Sequence, residues 1–133
     1  MAKIVSSIKN EHYKVEIKSP TGNVVIADEP IAVGGRDLGF SPKELLASAL
    51  AACTSATLRM YADRKGWELQ EVRLEIDLER DEKGNNTVID RKLDLIGNLD
   101  ETQRTRLLKI AESCPIHKIL NGLIEINSQI VSS

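Results

Sequence analysis

Ser41-Pro42-Lys43-Glu44-Leu45-Leu46-Ala47-Ser48-Ala49-Leu50-Ala51-Ala52-Cys53-Thr54-Ser55-Ala56-Thr57-Leu58 is the stretch whose reading decides the fold. Ser41 has the side chain of an N-cap, and Pro42 suits the first helical position, where no amide hydrogen is needed. Glu44, three residues after Ser41, completes a capping box. Ala and Leu then dominate, and both are strong helix formers. The helix is expected to run to Lys65, with Gly66 as its stop. Leu45, Leu46, Ala49, Leu50, Ala52, Cys53, Ala56, Leu58 and Met60 leave it no broad polar face. Such a helix is buried, at the centre of a core or between two subunits. It reads as too short and too rich in Ser and Thr to span a membrane. A chain of 133 residues has little material left to wrap it, so a homodimer sharing one core is expected.

Working outward toward the N-terminus, Lys3 to Lys9 and His12 to Lys18 alternate loosely and read as antiparallel strands. Ser19-Pro20-Thr21-Gly22-Asn23 is a turn by composition. Val24 to Ala27 is a third strand, completing an N-terminal sheet. Asp28 to Phe40 is a loop with Gly34, Gly35 and Gly39 close together. It reads either as a flexible connector or as a binding loop that places Arg36 near a site.

Toward the C-terminus, Leu69 to Arg80 alternates apolar Val72, Leu74, Ile76 and Leu78 with charged neighbours, the pattern of a half-buried strand. Asp81 to Asn86 is a hairpin turn and Thr87 to Ile96 the returning strand. Asp100 and Gln103 form a second capping box, opening a helix that would bury Leu107, Leu108, Ile110 and Ala111. Ser113-Cys114-Pro115 breaks it and begins a short helix through Leu120. Leu123 to Val131 reads as a last strand. Strands segregate from helices, so the class is α+β, and the length is that of a single domain over residues 1–133.

The composition, 41% apolar and 29% charged, is that of a globular protein. A net charge of −2 gives no basic footprint, which argues against nucleic acid as a partner. Met1 to Ser6 has no signal-peptide apolar core, so the expected location is cytoplasmic. There is no CxxC, His12 and His117 are far apart, and no glycine-rich phosphate loop is present. Neither a metal site nor a cofactor is expected.

The two cysteines carry the chemistry if any residues do. In a reducing compartment they are free thiols or a reacting pair rather than a structural bridge. Cys53, mid-helix, reads alone as a small buried hydrophobe. Cys114, at the start of a helix, has unpaired amides that favour its thiolate. His117, on the same first turn, would add to this if protonated; equally, Cys114 reads as a plain N-cap with His117 solvated. As a pair they suit a peroxidatic thiol and a resolving thiol: one is oxidised to a sulfenic acid and the other condenses with it to a disulfide.

The stretch 41–54 together with Cys114-Pro115-Ile116-His117-Lys118-Ile119-Leu120 resembles the OsmC/Ohr family of osmotically inducible and organic hydroperoxide resistance proteins. Pro42 and Cys53 keep the family's eleven-residue spacing, and a Cys-Pro follows later. The resemblance implies an intertwined homodimer with two long central helices between sheets and two sites at the subunit interface. It implies reduction of small-molecule organic hydroperoxides, with Cys53 as the attacking cysteine and Cys114 as the resolving one. It also implies a dithiol reductant, lipoyl-type or other, and no metal or flavin.

The family places an acidic residue directly after the proline and an activating Arg before the long helix. Here Lys43 stands after Pro42, and Glu44 follows. Arg36 is the candidate for that Arg, by charge and position. On a straight helix Glu44 and Cys53 are roughly 13 Å apart along the axis and on opposite sides. Glu44 would therefore act on the thiol from the second subunit, or serve only as a cap. The readings in competition are a hydroperoxide reductase using Cys53, Cys114, Glu44 and Arg36, a non-catalytic dimeric module binding a small ligand between the helices, and a redox sensor whose disulfide is not recycled efficiently.

Overall fold

The computed structural model describes residues 1–131. Its elements are strands β1 (Val5–Ile8), β2 (Val15–Lys18) and β3 (Val24–Ala27), helix α1 (Pro42–Lys65), strands β4 (Glu68–Asp81) and β5 (Asn86–Asn98), and helices α2 (Glu101–Ala111) and α3 (Pro115–Leu120). The chain is α+β, as the segregated pattern predicts, with a three-stranded antiparallel sheet, a long helix, a two-stranded antiparallel sheet and C-terminal helices. It forms two compact units, Met1–Ser48 and the chain from Ala49 onward.

In the first unit β2 lies between β1 and β3. Val15 pairs with both Ile8 and Ala27, and Lys18 with both Val5 and Val24. The loop after β3 is not a loose connector. Its anchor is Asp28, 2% exposed. One carboxylate oxygen accepts from the amides of Tyr13 at 3.1 Å and Glu29 at 2.8 Å. The other accepts from Arg36 at 3.2 Å and Leu38 at 3.1 Å. Burial pushes this carboxyl up, and the four amides outweigh it, so its pKa lies below the ordinary value. Two glycines permit the folding-in. A Cβ on Gly35 would stand 2.0 Å from the Glu29 carbonyl oxygen, and one on Gly39 2.0 Å from that of Ile26.

Helix α1 starts and stops as its sequence predicts. The Ser41 amide donates to Glu44 Oε1 at 2.8 Å, and the Glu44 amide donates to Ser41 Oγ at 3.3 Å, closing the capping box. At the far end Gly66 has φ 69°. Its amide bonds the Asp63 carbonyl and that of Trp67 bonds Ala62, the paired arrangement a left-handed glycine allows. With 24 residues the helix is long enough to cross a bilayer, which corrects the reading from length. What marks it as a core helix is packing: Leu58 and Ala62 join Leu69, Leu95, Leu107 and Ala111 in one buried cluster.

The burial is a stripe rather than a full jacket. Leu50, Thr54, Leu58 and Ala62 recur every four residues and are buried, whereas Met60 stays exposed. The β4–β5 hairpin supplies much of the second unit's core. Its register runs from Glu68 opposite Asn98 to Asp81 opposite Asn86, with one irregularity between Leu69 and Glu71. Asp100 caps α2 through a reciprocal box with Gln103. Leu107 and Ala111, one turn apart, are fully buried, but Leu108 is 52% exposed because it lies about 100° round the helix from Leu107.

The expected last strand at Leu123 to Val131 is absent. The segment has no regular structure, and Leu123, Ile124, Ile126, Ile130 and Val131 are exposed. A strand exists only through the ladder it makes with a neighbour, and no described strand pairs with this segment.

Candidate thiol site

Thr54 is the polar member of the buried stripe of α1, and the site is built round it. Its hydroxyl donates to the Leu50 carbonyl at 2.7 Å, the i−4 bond open to a helical Thr. Arg91 of β5 donates from Nη1 to the same oxygen at 3.1 Å. Cys114 Sγ lies 3.9 Å from it. Cys53, the residue before Thr54, is half-buried, and Cys114 is 0% exposed. Both thiols are free.

Cys114 sits at the N-cap of α3, where Pro115 suits the first helical position. The His117 amide donates to Cys114 Sγ at 3.3 Å. Burial pushes the Cys114 thiol up. The His117 amide, the Cys53 and Thr54 side chains and the Ile116 amide outweigh burial and hold it below the ordinary thiol value. Cys53 directly precedes Thr54 on α1, and the Thr54 hydroxyl lies 3.9 Å from Cys114 Sγ, so the fold brings the segments that carry the two cysteines, 61 positions apart in sequence, side by side.

The cation beside this site is Arg91. Arg91 Nη2 lies 3.1 Å from His117 Nδ1. A guanidinium has donors only, so Nδ1 accepts and the ring proton is on Nε2. Arg91 forms no ion pair among the described residues.

Arg36 and Glu44 are engaged inside the first unit. The Arg36 guanidinium pairs with Glu11 at 3.6 Å and both side chains are largely exposed, while its amide serves Asp28. Glu44 has the capping contacts already described, because a carboxylate three residues into the helix is within reach of the Ser41 amide.

Sequence reasoning passed over Thr54 and Arg91. A signal for Arg91 exists in the strand: Ile89, Arg91, Leu93 and Leu95 share one parity, so Arg91 stands on the apolar face, while Asp90, Lys92 and Asp94 take the other.

Residues 34–129 match the family of OsmC-like proteins. No curated protein matches the chain. Among solved structures, an OsmC-like protein from Mycoplasma pneumoniae is similar with TM-score 0.79 at 21% identity, covering 92% of this chain and 89% of that one. A putative osmotic stress induced and detoxification response protein from Psychrobacter arcticus gives TM-score 0.78 at 19% identity, over 90% and 88%. The organic hydroperoxide resistance protein OhrB of Bacillus subtilis gives TM-score 0.63 at 26% identity, over 92% and 91%. With the long helix, the spacing of Pro42 to Cys53 and the family match over most of its length, the chain belongs to the OsmC-like protein family.

Proposed function

We propose that this protein serves in the response to peroxide or osmotic stress and that it reduces organic hydroperoxides with Cys53 and Cys114. The family match and the hydroperoxide-resistance neighbour support the general role. The observation that carries the mechanism is the difference between the two thiols: Cys53 is half-buried, and Cys114 is completely buried with its pKa below the ordinary thiol value.

A peroxide entering from solvent meets Cys53 first. The Cys53 thiolate attacks one peroxide oxygen; the O–O bond breaks, the alkoxide leaves and takes a proton as an alcohol, and Cys53 becomes a sulfenic acid. The Cys114 thiolate then attacks the Cys53 sulfur; the S–O bond breaks, hydroxide leaves as water, and a disulfide forms. A dithiol, lipoyl-type or other, returns both thiols by exchange. The protein supplies a second thiol that its donors hold below the ordinary thiol pKa.

A homodimer in the cytoplasm is part of this reading. Exposed Met60 on α1 and the apolar residues of Leu123 to Val131 support a second copy as their cover. Arg36 and Glu44 enter the reaction only across that dimer, each protomer lending them to its partner's thiols.

The test is steady-state consumption of cumene hydroperoxide with a dithiol or a monothiol as reductant. Turnover sustained by the dithiol and abolished by Cys53→Ser is expected. Full turnover by Cys53→Ser contradicts the mechanism, and copurification of a small ligand with thiols inert to peroxide favours a binding module.

A further inference from the structure

We infer that Arg91 is a positioning residue for the thiol pair, holding Thr54 and His117 against Cys114 so that the resolving thiolate is formed and aimed before it is needed. This rests on the thiol-pair reading of the site, and deepens it by naming the cation that the pair uses.

Thr54 Oγ1 has one proton and two lone pairs. One lone pair takes the Arg91 Nη1 donor at 3.1 Å. While Cys114 carries its proton, the other lone pair can accept the S–H, and the hydroxyl proton stays on the Leu50 carbonyl at 2.7 Å. When Cys114 ionises, the hydroxyl proton has a better acceptor in Sγ, 3.9 Å away. The Leu50 carbonyl loses little, since it keeps its place in the helix ladder. Arg91 matters in both states. It fixes the oxygen so that the proton cannot turn toward β5, and its charge polarises the O–H into a stronger donor to a thiolate.

The same guanidinium pins the second donor. Its contact with His117 Nδ1 at 3.1 Å orients the ring on the first turn of α3. The amide of that residue is the one donating to Cys114 Sγ at 3.3 Å. One side chain thus grips two of the residues that serve the sulfur, Thr54 and His117. The groups facing Cys114 are Cys53 and Thr54 from α1 and His117 from its own helix, with Arg91 behind them from β5. Arg91 has no carboxylate partner to mute it among the described residues.

The experiment is an NMR titration of the full chain labelled at the cysteine Cβ carbons, which follows each thiol separately and needs no reagent to reach the buried one. Arg91→Met is expected to raise the titration midpoint of Cys114 by about one pH unit, a tenfold loss of thiolate at a fixed neutral pH. Arg91→Lys gives about half of that rise, because it keeps the charge and one donor. Thr54→Val shifts Cys114 in the same direction, and the double variant with Arg91→Met moves it no further than the larger single change. An unchanged Cys114 midpoint in folded Arg91→Met overturns the inference, as does full additivity of the two changes. Should Arg91→Met not fold, Arg91→Lys decides: a smaller rise is expected, and no rise overturns. The titration involves no peroxide, so its outcome is separate from whether the protein is a reductase. If it is, dimedone trapping in Arg91→Met shows more Cys53 sulfenic acid, because disulfide closure is the slowed step.

Discussion

Asp28 in the first unit and Cys114 in the second are both buried acceptors ringed by donors, and the donors differ in kind. Around Asp28 all four are backbone amides, from Tyr13, Glu29, Arg36 and Leu38. Both carboxylate oxygens are saturated, and none of the four donors can withdraw without moving the chain. Around Cys114 the His117 amide is joined by movable side chains, Cys53 and Thr54, with Arg91 behind. A charge fixed by the main chain ties a loop in place and has nothing left to give a reactant. A sulfur fixed partly by side chains can exchange one partner for another, as forming a disulfide requires. The difference separates a structural anchor from a chemical site, although both hold their acid below its ordinary pKa.

The largest expected effects are a crossed pair. Cys53→Ser abolishes hydroperoxide turnover, a loss of a hundredfold or more on the order of a removed nucleophile, and leaves the melting temperature nearly unchanged. Asp28→Asn does the reverse: it lowers the melting temperature sharply by circular dichroism, while the folded protein still closes its disulfide. Equal loss of turnover in the two would erase the distinction.

The anchor has a pH signature whose sign follows from its shift. The folded carboxyl titrates below the ordinary value of 3.8 expected of the unfolded chain. Its contribution is therefore full above the unfolded value and is lost as pH falls through the folded one. Asp28→Asn is expected to flatten this part of the acid-denaturation curve; an identical acid limb in the variant would remove the anchor from the account.

Smaller effects sharpen the contrast. Gly35→Ala forces a methyl onto the Glu29 carbonyl, at 2.0 Å before relaxation. It should cost about 1–3 kcal/mol in urea unfolding, with thiol reactivity kept. Glu44→Ala removes half of the capping box and should cost about 0.5–1 kcal/mol. If turnover also falls tenfold or more, Glu44 acts across the dimer as well as in the cap.

What was legible in the sequence was local. The caps of α1 lie within three residues of its start and one of its end, so Ser41, Pro42, Glu44 and Gly66 announce them. The β4–β5 hairpin is likewise written in the alternation of Val72 to Glu79 and a polar turn. The candidate thiols were legible as a pair, through spacing and the Cys-Pro. The Asp28 anchor was not, because its amide donors stand up to 15 positions away and carry no side-chain signature. Arg36 attracted attention as a cation, yet its contribution to the loop is its amide. Arg91 was hidden among Asp90 and Lys92, and only its parity with Leu93 and Leu95 distinguished it. The last strand failed for the opposite reason: Leu123 to Val131 carries the β-branched Ile124, Ile126, Ile130 and Val131, but a strand needs a neighbour that the described chain does not provide.

The measurement that bears most directly on the thiol pair is stoichiometric. The reduced protein is mixed with one equivalent of cumene hydroperoxide, quenched within seconds by an alkylating agent, and its thiols are mapped by mass spectrometry. A Cys53–Cys114 disulfide, formed faster than with hydrogen peroxide, is the predicted result. Two alkylated, unoxidised cysteines would contradict it and show that the fold is kept without the reaction.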